Sequence, residues 1–218
     1  DTSINSRAVI GDILALLGAI FAALYGVIIR SGRIEKNVSE EIRKGDLNKY
    51  LVKPISHLGF SAALAASDRI GVIVATGLLI PFIPLLTNSS ISVIGCAFSL
   101  VLVMNAIVMK FFISMSISYL AFWFEETWTF HVIFDISMWF LSGSLVPIDV
   151  LPSWLQSIST LLPFQYLSYV PAAFTIGTLS MNHAWHHLAL SLCWCFVTWF
   201  ITRLIWKSGI RSFGAYGG

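Results

Sequence analysis

Long apolar stretches constrain the fold of this sequence more than any other feature. A helix rises about 1.5 Å per residue and needs about 20 apolar residues to cross about 30 Å of hydrocarbon. Five stretches approach or reach that length: Val9 to Ile29, Ile70 to Leu86, Ile91 to Met109, Trp128 to Val146 and Ala184 to Trp206. Because unpaired backbone groups are costly in lipid, we predict that all five are α-helices, with the third prolonged toward Phe124.

The composition excludes an ordinary soluble domain. Of the 218 residues, 57% are hydrophobic and 11% are charged, and the mean hydropathy is +0.83. Soluble globular domains carry about 25% charged residues, so lipid is the expected solvent for most of this chain. The net charge of +2 is too small to favour a nucleic-acid partner. We therefore predict an all-α polytopic membrane protein whose residues 1–218 form a single transmembrane domain.

Basic residues set the predicted topology, because positively charged short loops stay cytoplasmic. Seven Lys or Arg residues lie between Arg30 and Lys53, residues 146–202 contain none, and three more follow at Arg203, Lys207 and Arg211. With five crossings, the basic loop and the carboxyl terminus are predicted to be cytoplasmic and the amino end external. Such an external end predicts a sixth span upstream, in a protein of the plasma (inner) membrane.

The predicted cytoplasmic loop, residues 30–57, carries two short amphipathic patterns. Ile34, Val38 and Ile42 recur every four residues. After Gly45, apolar residues recur until Pro54 stops the pattern, at Leu47, Tyr50 and Leu51. We predict two short helices that lie on the membrane surface or dock into a groove on a soluble partner. A solvated loop whose basic residues only fix the topology is the alternative.

Residues 146–177 are too apolar for an ordinary external loop, yet they cannot form one continuous helix. Four prolines interrupt them: Pro147, Pro152, Pro163 and Pro171. We predict short re-entrant external helices, Ser153 to Leu162 with Ser153 as its cap and Phe164 to Ile176 ended by Gly177. Irregular backbone at that depth is tolerated where protein or a wet cavity surrounds it, so these turns are predicted to border a translocation path. A membrane-surface cap without cargo contact remains open.

Ionisable residues inside spans are costly and are therefore functional candidates. Asp135 is the deepest, and His131 lies one helical turn before it. This pair could serve as a proton relay, a cargo contact or a packing hydrogen bond. Lys110 is expected to snorkel toward the interface. The candidates for a translocation path are His131, Asp135, Trp139, Phe164 and Tyr166.

Patterns of enzymatic chemistry are weak. His183, His186 and His187 lie together, but they lack a carboxylate and an H-E-x-x-H pattern, so we predict no metal site. Neither G-x-S-x-G nor the P-loop pattern occurs in the sequence, so we predict no catalytic residue and no cofactor bound by this chain. A row of small residues in the first span is predicted to pack against another helix: Gly18, Ala22 and Gly26.

Three segments resemble one family of membrane proteins. Residues 40–56, EEIRKGDLNKYLVKPIS, resemble the signature that follows the second span of ABC-2 type exporter permeases. Residues 140–166, FLSGSLVPIDVLPSWLQSISTLLPFQY, resemble a late pattern of the same family, and the tail GIRSFGAYGG resembles its carboxyl end. Their order agrees with the topology that the basic residues predict. A first span is the part of the family pattern that is not matched here.

The resemblance implies a permease subunit of an ABC-2 type exporter. In that family the permease pairs with a second permease, the same or a sister chain, and a separate ATP-binding cassette subunit holds ATP and Mg. The first cytoplasmic loop is implied to seat on that subunit, through Ile34, Val38, Glu41, Ile42, Gly45, Leu47, Tyr50, Leu51 and Pro54. Leu47→Asp or Tyr50→Asp is then expected to uncouple ATP hydrolysis from transport and to leave the permease in the membrane.

Two other classes of function remain open at this point. A membrane-embedded enzyme would use the histidine cluster or the pair of His131 and Asp135. A scaffold without transport would use the cytoplasmic loop to recruit a partner. A secondary transporter is disfavoured because deep charges are few and repeats are not evident. Membrane lipid is an expected partner in each case, and nucleic acid is not.

Overall fold

The structure is a computed structural model, and it describes residues 33–51, 56–79, 93–144, 148–176 and 178–213. Regular structure within these ranges is helical throughout, which confirms the predicted fold class. The α-helices are α1 Arg33–Arg43, α2 Asn48–Leu51, α3 His57–Leu79, α4 Val93–Tyr119, α5 Trp128–Leu141, α6 Ser153–Leu161, α7 Phe164–Leu167, α8 Tyr169–Ile176 and α9 Ala184–Phe213. Short 3-10 turns lie at Leu120–Phe122, Ile148–Val150 and Met181–His183.

Within the part of the chain that the structure describes, two helical segments are long and apolar enough to cross a membrane. They run over Ile94–Phe122 and Met181–Phe213, with 29 and 33 residues. Helix α5, which lies in the predicted fourth span, is apolar but has only 14 residues. The first predicted span, Val9 to Ile29, and residues 80–86 of the second lie outside the described residues. A helical membrane protein is therefore supported, and the number of five spans stays a prediction.

Two helix boundaries differ from those of the predicted spans, because a capping side chain or a glycine sets them. Helix α3 begins at His57, well before the predicted Ile70, because the Ser56 hydroxyl accepts a hydrogen bond from the Gly59 amide at 3.2 Å. Helix α5 ends at Leu141 instead of Val146, and Gly143 follows with φ +75, a conformation that favours glycine.

Apolar side chains gather in two clusters along α4. The α8 cluster joins the first half of α4 to α5, to the segment α7–α8 and to the start of α9; it contains Leu102, Ala106, Met109, Met138, Tyr166, Leu167, Val170, Phe174 and Ala184. The loop cluster joins the second half of α4 to α1 and α3; it contains Val38, Ile42, Leu47, Ala65, Phe111, Met115, Tyr119 and Ala121. Helix α4 is therefore the central element that both ends of the described structure pack against.

Hydroxyl and amide groups join α4 to α9. Asn105 donates a hydrogen bond to the Ser191 hydroxyl, and the Thr202 hydroxyl donates to the Phe112 carbonyl at 2.9 Å. Interhelical bonds of this kind hold apolar helices together where water is absent. Near the carboxyl end of this contact between α4 and α9, which we call the seam, Gly209 lies against Phe122. A Cβ added at Gly209 would be 2.0 Å from the Phe122 ring. The small residue thus allows a close approach that a larger one would prevent.

Lys110 was expected to snorkel, and the structure corrects that expectation. Its side chain is buried, only 7% exposed, and nine further residues of α4 follow it, of which Tyr119 is the last. Packing of α4 against its neighbours on several sides leaves the side chain inside the protein and not along a lipid-facing surface.

Candidate functional site

The predicted cytoplasmic loop forms the two short helices that its pattern indicates. Helix α1 ends at Arg43, and the chain turns through Gly45, which has φ +75 with open space around it. The Gly45 amide donates to the Ile42 carbonyl at 3.3 Å, and α2 follows from Asn48 to Leu51. The predicted stop at Pro54 and the side chains of Ile34 and Leu51 lie outside the described residues.

The apolar face of this loop is already occupied by the chain itself. Leu47 is 0% exposed, Val38 3% and Ile42 4%, and all three belong to the loop cluster with α4 and Ala65. Ser39 adds a polar contact, donating to the Ser118 carbonyl at 3.3 Å. In the structure these side chains hold the loop onto the helices, so the surface that the loop leaves open to a partner is the opposite face.

The opposite face of the loop is charged and exposed. It carries both signs, with an ion pair between Lys44 and Glu40 at 3.1 Å whose side chains are both about two-thirds exposed. Such a pair contributes little to stability, so its charges are available to a partner surface. The exposed polar residues of this face are Asn37, Glu40, Arg43, Lys44, Asp46 and Asn48.

His57 joins the loop to three helices. Its Nδ1 lies 3.0 Å from the Tyr119 hydroxyl of α4. Its ring stacks on Trp206 of α9 with centroids 4.9 Å apart and planes 5° from parallel. Tyr50 meets the ring edge-on at 5.2 Å. We call His57, Tyr50, Glu41, Tyr119 and Trp206 the His57 junction.

Burial sets the charge state of this junction. His57 precedes the predicted second span, and burial lowers its pKa to about 4, so the ring is neutral at physiological pH. The 4.0 Å approach of Glu41 to Nε2 is therefore a contact with a neutral ring and not an ion pair. A neutral ring has one donor and one acceptor nitrogen, so Nδ1 can pair with the Tyr119 hydroxyl in either role.

Tyr50 completes the loop side of the junction. Its hydroxyl donates to the Glu41 carboxylate at 3.2 Å. Burial, and next the negative charge of Glu41, raise the pKa of Tyr50, which keeps the phenol protonated as a donor. Glu41 thus accepts a hydrogen bond from α2 and lies 4.0 Å from the His57 ring at the start of α3, which brings the loop against the first turn of that helix.

Sequence reasoning missed most of this junction. It included Glu41 and Tyr50, but it treated His57 as the end of the loop and Trp206 as the end of the fifth predicted span. Tyr119 was not singled out. A histidine directly before a long apolar helix is a weak signal, and no spacing in the sequence relates it to the aromatic residues of two distant spans.

The five candidates for a translocation path lie in two separate regions of the described structure. His131 is buried and its Nε2 lies 3.1 Å from the Ser118 hydroxyl, close to the carbonyl that Ser39 contacts. Asp135 is half-buried one turn further along α5, and Trp139 is 41% exposed. Phe164 and Tyr166 belong to the α8 cluster instead, where Phe164 packs against Phe134 at 5.8 Å.

The proline-rich segment folds back onto α4 and α5 as short helices. Ser99 of α4 donates to the Pro171 carbonyl at 2.7 Å, and the Tyr169 amide donates to the Ser142 carbonyl at 3.1 Å. Protein groups therefore pair with these two backbone groups of the interrupted segment, as irregular structure in a membrane requires. One detail is corrected: Pro152 occupies the cap position of α6 without a side-chain bond, and Ser153 is the first helical residue. Gly177 lies outside the described residues.

The histidine cluster borders the α8 cluster. His187 packs against the rings of Phe174 and Tyr166, at 5.8 and 6.3 Å, and His186 lies 5.8 Å from it. Among the described residues, no group of three or more His, Cys, Asp and Glu is arranged to hold a metal ion. The geometry therefore adds no support to a metal-dependent enzyme.

Long apolar helices and a polar loop seated on their ends define a helical, membrane-embedded protein. The family described as ABC-2 family transporter protein matches residues 9–217, nearly the whole chain, and the chain belongs to this family. No curated protein and no solved structure is significantly similar to it. Family membership confirms the resemblance found in the sequence. The protein is a membrane permease of an ABC-type system, is not itself catalytic, and belongs to a family that implies an ATP-binding partner.

Proposed function

We propose that this protein is the permease subunit of an exporter and that residues 33–51 receive the movement of a separate ATP-binding cassette subunit. The observation that supports this most directly is the attachment of the loop. One face of it is buried against α3 and α4, whereas the other presents exposed charges of both signs. A segment built this way can bind a partner on one side and displace helices on the other.

The docking surface in this proposal is the charged face of the loop. Glu40, Arg43, Lys44 and Asp46 are exposed, and they can pair with complementary charges on a soluble subunit. The apolar residues predicted for docking act from inside, by holding α1 in place. Gly45 lets the chain turn tightly between the two helices, and Glu41 and Tyr50 connect that turn to His57.

A movement of the loop is transmitted to the helices in this proposal, because the loop packs closely against them. Leu47 and Ile42 are enclosed by α4, and the stack of His57 on Trp206 extends the contact to α9. Packed interiors have low compressibility, so a push on α1 displaces the helix ends and does not deform the contact. In this scheme ATP and Mg bind to the partner, and this chain binds no cofactor.

The rest of the transport machinery follows from the predicted topology. We place the loop and the carboxyl terminus in the cytoplasm, the segment at residues 146–177 on the external side, and the protein in the plasma (inner) membrane. A path between two permeases, identical or sister chains, would open beside that segment. His131, Asp135, Trp139, Phe164 and Tyr166 stay the candidates for lining it, although the burial of Tyr166 also suits a packing role.

Co-purification tests the proposed partner. The full-length protein is isolated from native membranes in mild detergent, as the wild type and as R43E/K44E, which reverses two exposed loop charges. We expect an ATP-binding subunit with the wild type and its loss from the variant. Asn182→Lys is the control, because it adds a charge at an exposed position near the start of α9. Equal recovery of the subunit with R43E/K44E would contradict the docking face, and no ATPase with the wild type would favour a scaffold.

A further inference from the structure

Helix α9 presents three basic side chains in one exposed row. Arg203, Lys207 and Arg211 are spaced four residues apart, and all three are exposed. The opposite face of the same helix holds Thr202 and Gly209, which are buried against α4 and the turn after it. Residues four apart lie on one side of a helix, so the row faces away from the protein.

The row continues an apolar, outward-facing surface. Phe196, Phe200 and Leu204 are 62%, 50% and 51% exposed, and by helical geometry they lie on the same side as the basic residues. In a membrane protein such a face meets lipid tails unless another helix covers it, and no described helix of this chain covers this one. The basic row begins where that apolar surface ends.

The length of α9 places the row at the level of lipid headgroups. Helix α9 begins at Ala184, beside the exposed Trp185. About 20 residues further, at about 1.5 Å each, the helix has crossed about 30 Å of hydrocarbon, which brings Arg203 to its far boundary. Each further step of four residues adds about 6 Å, so Lys207 and Arg211 extend through the headgroup layer.

Charge and geometry at the row suit a phosphate. Residues 184–213 contain no Asp or Glu, so the helix carries three positive charges without an acidic residue of its own. The Arg203 guanidinium lies 5.5 Å from the centre of the Trp199 ring, which orients the charged group at the edge of the apolar surface. Guanidinium groups bind phosphate oxygens in pairs, and lysine adds a point charge.

We propose that Arg203, Lys207 and Arg211 form a binding site for anionic phospholipids of the cytoplasmic leaflet. The general tendency of basic residues to stay on one side of the membrane explains their side but not their alignment on a single lipid-facing surface. The site depends on α9 crossing the membrane with its carboxyl end on the predicted cytoplasmic side, and not on the proposed function as an exporter.

Lipid enrichment around the protein tests the site. The full-length protein is reconstituted in nanodiscs of phosphatidylglycerol and phosphatidylethanolamine, and the phosphatidylglycerol retained on re-extraction is measured by mass spectrometry. A basic residue near an anionic surface contributes about a fivefold preference. We therefore expect R203Q/K207Q/R211Q to reduce the enrichment at least about fivefold, and the wild type to lose it in 1 M salt, which screens charges beyond about 3 Å.

A matched variant separates this site from general charge. R43Q/K44Q removes two exposed basic residues from the loop and is expected to retain the enrichment. Unchanged phosphatidylglycerol enrichment in the triple variant would overturn the proposal. A changed oligomeric mass without a change in retained lipid would also overturn it, because the three basic residues would then contact another copy of the chain. If the triple variant does not insert, Lys207→Gln and the salt titration of the wild type decide in its place.

Discussion

At the scale of single residues, the environment of His57 explains how a loop can be attached firmly without an ion pair. The ring is 5% exposed, it is neutral, and it meets Tyr119, Trp206 and Tyr50 on three sides. Each contact comes from a different helix. Loss of the ring would therefore loosen the loop, α4 and α9 together.

Acidification should weaken this junction. The pKa of His57 is about 4 in the folded protein and about 6.5 when the chain is unfolded, so the unfolded state binds more protons between these values. Stability is therefore complete above about pH 6.5 and falls as the pH drops toward 4, by about 2–3 kcal/mol. Thermal unfolding in detergent between pH 7 and 4 measures this. His57→Gln, which does not titrate, should show a clearly smaller decrease, and equal decreases in both proteins would contradict the burial of a neutral ring.

Leu47 should control stability and not docking. It is 0% exposed in the loop cluster, so Leu47→Ala is expected to cost about 2–5 kcal/mol. The uncoupling expected from Leu47→Asp is replaced by a stronger loss of stability, because that change buries a carboxylate. Leu64→Ala is the matched control, since Leu64 is 43% exposed and its loss should change the unfolding temperature little. Similar effects of the two substitutions on the unfolding temperature would contradict the burial of Leu47 in the loop cluster.

A side chain at Gly209 should destabilise the protein. An added Cβ would meet the Phe122 ring at 2.0 Å, so Gly209→Ala must displace that ring and is expected to cost about 1–3 kcal/mol. Gly71→Ala is the control within another helix, where a Cβ would meet nothing within 4 Å. That change should be neutral or stabilising by about 0.5–1 kcal/mol. A stable Gly209→Ala protein would show that α9 and the turn after α4 are further apart than described.

At the scale of elements, α4 is the central helix of the described structure. Its first half supports the α8 cluster, its second half supports the loop cluster, and polar bonds attach α9 along its length. Apolar packing provides little preference between helices inside lipid, so these bonds and the small residues around them select the pairing. Helix α8 is held against α4 and the end of α5 by bonds to its own backbone, at the Pro171 carbonyl and the Tyr169 amide.

Removing a hydroxyl from this seam should weaken it measurably. Thr202→Val keeps the shape of the side chain but loses the contacts to the Phe112 carbonyl and the Ser116 hydroxyl of α4, at 2.9 and 2.8 Å, besides a 2.8 Å contact to the Thr198 carbonyl of its own helix. Interhelical bonds in membranes contribute about 0.6–1.7 kcal/mol, and we expect a loss in that range. Thr198→Val is the control, because the Thr198 hydroxyl bonds within its own helix to the Cys195 carbonyl. Unfolding in a denaturing detergent compares the two, and equal losses would argue against a specific seam.

At the scale of the whole molecule, the loop and the ends of α3, α4 and α9 move together as one rigid unit in the proposed transporter. Force applied to the charged face of α1 would reach α4 through the loop cluster and α9 through the His57 junction. The α8 cluster at the other end of α4 would then respond to the movement of the same helix. This arrangement offers a physical route between a soluble partner and the proline-rich segment.

The rigidity of this unit can be measured directly. Spin labels at Asn37 and Lys207, introduced after the native cysteines are replaced by serine, report the distance between the loop and the end of α9. We expect one narrow distance distribution that ATP does not change in the complex with the ATP-binding subunit. Tyr50→Phe, which removes the 3.2 Å bond to Glu41, should broaden it. A shift of the wild-type distance on ATP binding would show that the loop slides over the helices.

Local pattern was sufficient for the elements. The four-residue recurrence at Ile34, Val38 and Ile42 predicted α1, Gly45 predicted the turn, and the prolines predicted a series of short helices instead of one long helix. The apolar stretches predicted the two membrane-length helices, and three short segments indicated the ABC-2 family. These properties depend on residues close together in the chain, where helical period and turn chemistry operate.

The sequence by itself therefore determined the helical membrane class, the amphipathic loop and the family. Tertiary structure alone decided which side of the loop is free, because the same apolar stripe suits a partner groove or the chain's own helices. It also decided the junction of His57 with Tyr119 and Trp206 and the burial of Lys110. Residues separated by 62 positions or more meet there, and such contacts depend on how helices pack, which no local period encodes.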